Sequence, residues 1–325
     1  MTATTATVVT TEEVAAWTGP PLYLFIGIST AGSSVHRAFP VWAPVFAPGA
    51  CLRGVDLPED ADPEQFRRLL VAMRDNPAVH GAVVTSHKLR LHRAAHDLLD
   101  AADTLVHLTH EINSLDTRDG VRAFARDAES LDVVLRVPGV LHGGAPLVCI
   151  GAGGSAIALL LATRLDVPAT ITAGAPVPAA AARPLTILGR RQASLDEIAG
   201  VAQRCGIDQE GPDLVLATDS VSYRARLTDL PAGSVVINAT GLGKTAPGSP
   251  LAGPEAFPPG IVAWDFNYRG PLTFLEQARA AGVPTEDGWD YFLAGWSCAL
   301  AAITGTELTD ERFADLVARS SSLRP

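Results

Sequence analysis

Lys88 and Asp127 are the residues of this chain best suited to moving a proton. Lys88 and Lys244 are its only lysines; every other basic residue apart from histidine is an arginine. A guanidinium keeps its proton at neutral pH, whereas an ammonium can be tuned to release one. A lysine kept in so arginine-rich a chain is therefore a candidate for chemistry. The competing reading, an ordinary solvated lysine, is stronger for Lys244 than for Lys88. Lys88 closes the run Val83-Val84-Thr85-Ser86-His87-Lys88. That run places a polar cluster at the carboxyl end of an apolar strand, the edge where α/β enzymes bind ligands. Asp127 follows Phe124-Ala125-Arg126. A carboxylate can hold an ammonium in place while the ammonium passes a proton to or from an alcohol oxygen, but spacing alone does not pair these two. His36 and His87 fall near the same mouth and read better as hydrogen-bonded structural histidines. Asp116 and Asp119 read as a turn with Gly120.

A second constellation is built for an anion. Gly151-Ala152-Gly153-Gly154-Ser155 joins an apolar run, Leu147–Ile150, to an apolar helical stretch at 156–165. Glycines at a strand-to-helix turn let the backbone approach a pyrophosphate, and the helix start supplies unpaired amides. The GxGG spacing departs from GxGxxG, so a tight turn without a ligand remains open on spacing alone. Gly189-Arg190-Arg191 ends the next strand, where an NAD site usually carries an acid for the ribose hydroxyls. Two guanidinium groups there can grip a 2′-phosphate, which favours NADP over NAD. Two merely solvated arginines fit less well, because cations are mildly unfavourable at a helix start.

The elements that must carry these residues alternate. Residues 22–28, 50–55 and 80–85 read as strands. Helical stretches lie at 33–46, shortened by Pro40 and Pro44, at 62–74, opened by Asp62-Pro63-Glu64, and at 89–99. This β-α-β-α order predicts a mainly parallel sheet. A second αβ series starts near Val133, with strands at 147–150, 185–188, 214–217, 235–239 and 261–266 and helices at 156–165, 194–205, 272–281 and 289–304. The Ala/Pro-rich residues 167–183 read as a loop or insertion.

The bulk properties fit this plan. The chain has 325 residues, enough for two domains, with 47% hydrophobic and 18% charged residues. A net charge of -10 argues against nucleic-acid binding. Cys51, Cys149, Cys205 and Cys298 form no CxxC pair, so we expect reduced, mostly buried thiols and no metal. No apolar run suits a membrane span, and the first charges, Glu12 and Glu13, do not suit a signal peptide. The expected location is the cytoplasm.

The ordered motifs resemble the shikimate/quinate dehydrogenase family over residues 22 to 305. Val84-Thr85 with Lys88 is similar to its strand-end motif with the catalytic lysine. Glu111-Ile112-Asn113-Ser114-Leu115 resembles its GAVNTL segment, and Asp127 falls at its catalytic aspartate. Gly151-Ala152-Gly153-Gly154 matches the cofactor loop. Val236-Ile237-Asn238-Ala239-Thr240 with Gly243 resembles INAT, beside the nicotinamide. Asp265, Tyr268 and Thr273 match DxxYxxxxT, and Asp287-Gly288 the DG before the last helices.

The resemblance implies two α/β domains around a deep cleft. A substrate domain, residues 1–126, would be completed by C-terminal helices at 288–325, and a Rossmann-type NADP domain would span 127–287. It implies reversible reduction of a ring ketone by NADPH. Lys88 and Asp127 would be catalytic. Thr30, Thr85, Asn113 and Tyr268 would bind substrate. Gly151, Gly153, Gly154, Ser155, Arg190, Arg191, Asn238 and Thr240 would bind cofactor. The partner would be a small molecule, with no nucleic acid or membrane, and the protein a monomer or homodimer.

Departures cluster on substrate positions. The family's SxSPxxHN, whose serines hold the shikimate carboxylate, reads here Thr30-Ala31-Gly32-Ser33-Ser34-Val35-His36-Arg37. The asparagine before Val84 becomes Val83, and a glutamine of the last helices becomes Gly295. Each lost partner of a buried substrate group costs about 1–3 kcal/mol, so a related cyclic polyol or ring ketone is expected in place of shikimate. The alternative is that Ser29, Ser33, Ser34 or Arg37 takes over the carboxylate. Competing functions are a non-catalytic NADP-binding redox sensor and an imine or amino-cyclitol reductase on the same scaffold.

Overall fold

The computed structural model describes residues 7–136, 141, 143–207, 211–243 and 246–324; Lys244 lies outside them. The chain divides into two compact units, residues 1–126 with 296–325, and residues 127–295.

In the first unit the elements run α1 (Thr11–Ala15), β1 (Leu22–Gly27), α2 (Val35–Phe46), β2 (Cys51–Asp56), α3 (Pro63–Asp75), β3 (Val79–Val84), α4 (Lys88–Ala95), β4 (Ala101–Ala102), α5 (Thr104–Thr109), β5 (Ser114–Asp116) and β6 (Arg122–Phe124). The sheet order is β2-β1-β3-β5-β6-β4. β2, β1 and β3 are parallel, whereas β5 is antiparallel to both β3 and β6. α3 begins where its sequence signals place it. Asp62 accepts from the Glu64 amide at 2.8 Å, and Gln65 accepts from the Asp62 amide at 2.9 Å. α2 continues through both prolines because its inner face is held by packing. Phe39, Trp42 and Phe46 are buried, and the Trp42 indole donates to Ser320 Oγ at 2.8 Å.

Asp116 is a buried charge at the end of β5, and its side chain starts the expected turn by accepting from the Arg118 amide at 3.1 Å. It receives Arg118 at 2.9 Å and Arg122 at 2.5 Å. Burial pushes its carboxyl up, but the hydrogen bonds from Arg118 and Arg122 outweigh that and leave it below the usual carboxylate range.

The second unit runs α6 (Asp127–Arg136), β7 (Leu147–Ile150), α7 (Gly154–Arg164), α8 (Val167–Ala173), β8 (Leu185–Gly189), α9 (Gln192–Arg204), β9 (Asp213–Leu216), α10 (Ser220–Ala225), β10 (Val235–Asn238), β11 (Val262–Asp265), α11 (Thr273–Ala280), β12 (Thr285–Glu286) and into α12 (Trp289–Thr304). Its strands are all parallel, in the order β9-β8-β7-β10-β11-β12. Numbered within the unit this is 3-2-1-4-5-6, the doubly wound Rossmann order, whose switch point lies between β7 and β10. Val148, Ile150, Val236, Ala263 and Phe274 belong to the apolar core on the sheet.

One helix differs from the sequence reading. Part of the Ala/Pro-rich stretch is helix α8. Asp166 caps it by accepting from the Ala169 amide at 3.0 Å, and Gly174 closes it in the left-handed region. After α12, α13 (Asp310–Ser320) is opened by Thr309, which accepts from the Arg312 amide at 3.2 Å. The chain returns to the first unit at Gly295–Trp296, inside α12. Trp296 packs on Phe25 with ring centroids 5.1 Å apart.

Candidate functional site

The first unit gathers its candidates at the carboxyl ends of β1, β2 and β3. Thr85 follows β3 directly and is exposed; Lys88, half-buried, is the first residue of α4. A helix start is the positive end of its dipole, so a cation there gains nothing from it. Asn113 is brought to the same edge by antiparallel pairing. Val83 lies opposite Ser114, the Val84 amide donates to the Asn113 carbonyl at 2.7 Å, and the Ile112 amide donates to the Lys88 carbonyl at 3.3 Å. The Asn113 side-chain oxygen accepts from the Arg126 amide at 2.9 Å and Ser114 Oγ at 3.1 Å, which fixes its orientation.

Thr30 sits otherwise than expected. It is fully buried, and its hydroxyl donates to Asp56 at 2.6 Å. A Cβ on Gly54 would lie 2.0 Å from that hydroxyl, so the absence of a side chain at 54 is what makes room for it. His36 Nε2 meets the Thr30 carbonyl at 3.1 Å. His87 is buried, donates from Nε2 to the Leu57 carbonyl at 2.8 Å, and meets Phe66 edge-on. Both histidines are engaged with backbone carbonyls. Asp56 is a candidate that sequence reasoning missed. Only the register Gly27↔Asp56 between β1 and β2 brings it to this edge, and its sequence neighbourhood carries no such signal.

In the second unit, three loops meet at the switch point. Gly151 has φ +124°, and a Cβ there would lie 2.7 Å from the Ala239 carbonyl carbon and 3.1 Å from the Thr240 amide nitrogen. Only glycine suits both the conformation and the approach. A Cβ on Gly189 would lie 3.0 Å from Ala152, which brings in the end of β8. Gly153 caps α7 without a side-chain hydrogen bond, and nothing lies within 4 Å of where its Cβ would stand. Ser155 is half-buried in the first turn of α7. Arg190 and Arg191 are exposed at the end of β8. Uncapped amides, open space before them and a cationic pair one strand away fit a phosphorylated dinucleotide.

Asn238 and Thr240 shape the loop after β10. Asn238 is fully buried; its Nδ2 donates to Asp265 at 3.0 Å and the Leu242 carbonyl at 3.1 Å, while Oδ1 accepts from Thr240 Oγ1 at 2.6 Å. Tyr268 lies in an aromatic cluster, 4.5 Å from Phe292 and 5.4 Å from Trp289 between centroids. Asp127 opens α6 and is half-buried.

Asp265 gives a pH test of this loop. Burial pushes its carboxyl up to about 6, against hydrogen bonds from the Asn267 amide, the Asn238 amide and Asn267. An unfolded aspartate titrates near ~3.9. The native state therefore holds the proton to higher pH, and the contribution to stability is complete below about 4 and lost as pH rises through about 6. The Tm of the wild type relative to Asp265→Asn should fall as pH rises across that window. A difference independent of pH would show that Asp265 is ionised throughout.

Among the described residues no helix is long and apolar enough to cross a membrane, and no group of three or more His, Cys, Asp or Glu could hold a metal ion.

Fold and loops define a two-unit α/β protein with a Rossmann-type second unit. No family model matches the chain. It is 28% identical over 263 residues to the shikimate dehydrogenase (NADP(+)) of Caulobacter vibrioides, over 79% of this chain and 82% of that one. Its fold matches a solved shikimate dehydrogenase in complex with NADP+ at TM-score 0.68 and 17% identity, over 92% of this chain and 95% of that one. It also matches the shikimate 5-dehydrogenase of Listeria monocytogenes, solved with shikimate and NAD, at TM-score 0.66 and 16% identity, over 92% and 96%. The chain is thus similar in sequence to a shikimate dehydrogenase and in fold to solved shikimate dehydrogenases.

Proposed function

We propose that this protein is an NADP(H)-dependent dehydrogenase that interconverts a ring ketone and a ring alcohol on a cyclic polyol. The observation that carries the reading is the open glycine turn at the switch point of the second sheet, with Arg190 and Arg191 at the neighbouring strand end. The bound nicotinamide would supply or accept the hydride. The first-turn amides of α7, with Ser155, would hold the pyrophosphate, and the two guanidinium groups the 2′-phosphate. Asn238 would fix the loop after β10 through its hydrogen bonds, leaving Thr240 to face the cofactor. On the first unit, Lys88 would pass the proton to or from the alcohol oxygen, with Thr85 and Asn113 orienting the ring. Asp127 is assigned as the second catalytic residue, and Tyr268 as a substrate contact.

The cofactor half is tested by binding. NADPH should bind at least tenfold more tightly than NADH, which is about 1.4 kcal/mol. Replacing Arg190 and Arg191 by alanine should erase the preference and leave NADH affinity nearly unchanged. Equal affinities in the unmodified protein would remove the 2′-phosphate from the proposal.

A further inference from the structure

We propose that the carboxyl end of β2 selects the substrate by charge. Asp56 accepts a hydrogen bond from a hydroxyl or ammonium group of the substrate and excludes a carboxylate. This rests on the dehydrogenase reading above and specifies its substrate class.

Asp56 is the last residue of β2, in register with Gly27 at the end of β1. Its Oδ1 accepts from the Thr30 amide at 2.8 Å and the Thr30 hydroxyl at 2.6 Å. Its Oδ2 has no hydrogen-bond or ion-pair partner among the described residues, and the residue is exposed. One oxygen is thus anchored and the other is presented to solvent. The position belongs to the edge that carries Lys88. A Cβ built on Gly27 would stand 2.8 Å from the Thr85 methyl and 3.2 Å from the Thr30 methyl. The Asp56–Thr30 pair and Thr85 therefore flank the same glycine, and Lys88 opens the helix three residues after Thr85.

Three arginines on the neighbouring elements each donate to a backbone carbonyl. The Thr30 hydroxyl is spent on Asp56 itself. Arg37 donates to the Leu323 carbonyl at 3.2 Å. Arg53 donates to the Leu52 carbonyl at 2.7 Å and lies over Trp17. Arg90 donates to the Ala61 carbonyl at 2.7 Å and lies over Phe66. Lys88, at the same edge, is assigned to proton transfer under the dehydrogenase reading. An acceptor with negative charge rewards a donor and penalises a second carboxylate.

Three probes with one ring separate the possibilities: shikimate, and its analogues bearing a hydroxymethyl or an aminomethyl group in place of the carboxylate. Their affinities for the full-length protein are measured by calorimetry, with and without NADP+. At least one donor probe should bind at least tenfold more tightly than shikimate. The hydroxymethyl probe winning assigns a hydroxyl, and the aminomethyl probe an ammonium. Asp56→Asn keeps an oxygen for Thr30 and removes the charge, so shikimate's disadvantage should shrink at least tenfold with NADP+ affinity unchanged. Shikimate binding as well as both donor probes, no binding of either donor probe, or an unchanged ranking in a folded Asp56→Asn protein would overturn the proposal. The wild-type ranking decides by itself if the variant does not fold. Because the ranking is an equilibrium measurement, it stands apart from the dehydrogenase reading, which fails if NADP+ binds and no substrate turns over.

Discussion

Lys88→Ala is expected to lower kcat at least about 10²-fold, with NADPH affinity almost unchanged, because a positioned general acid or base contributes ~10²–10⁴-fold. The residue sits between a strand end and a helix start, half-buried, with its carbonyl tied to Ile112. Removing the side chain leaves that backbone anchor in place, so the loss should be chemical. Asp127→Asn should cost a similar factor. If the two act as a unit, the double variant should be little worse than the worse single one. Lys88→Arg should not restore turnover, since a guanidinium does not give up its proton. Near-normal turnover in Lys88→Arg would mean that the position supplies only positive charge.

Gly153→Asp should separate cofactor binding from folding. Gly153 is extended at φ -116°, caps α7 without a side chain, and faces open space. An aspartate there can cap the free amides and complement the dipole, so Tm should hold or rise. The same carboxylate would stand where the pyrophosphate is proposed to lie. Two unit charges ~5 Å apart at an effective dielectric of ~20 repel by about 3 kcal/mol, or on the order of 10²-fold in affinity. NADPH affinity should fall by about that factor. Unchanged affinity in a folded Gly153→Asp protein would move the phosphates away from this turn.

Much of the scaffold was legible because its strands are short apolar runs bounded by turn residues. Residues 22–28 and 147–150 read as strands for that reason, and Asp62-Pro63 announced α3 with a cap any sequence reader can see. The antiparallel β5 and β6 were not legible. Each has three residues, too few for alternation to register, and their direction is set by partners far along the chain. Yet β5 is what carries Asn113 to the end of β3. α8 was hidden by its Ala/Pro composition, although Asp166 and Pro168 mark its start. The cofactor loop was visible as glycines between a strand and a helix. The roles of Thr30 and Asp56 were not, because they are 26 residues apart and meet only through the pairing of β1 with β2. The resemblance implied that Thr30 contacts substrate, and in the fold its hydroxyl donates to Asp56.

The most direct test of the central claim is NADPH oxidation, followed by the loss of nicotinamide absorbance, across a panel of ring ketones and oxidised cyclic polyols. The account predicts NADPH-dependent turnover of at least one neutral or amino-bearing ring ketone, abolished in Lys88→Ala. NADPH binding with no ketone reduced anywhere in the panel, and no ring alcohol oxidised with NADP+, would contradict it.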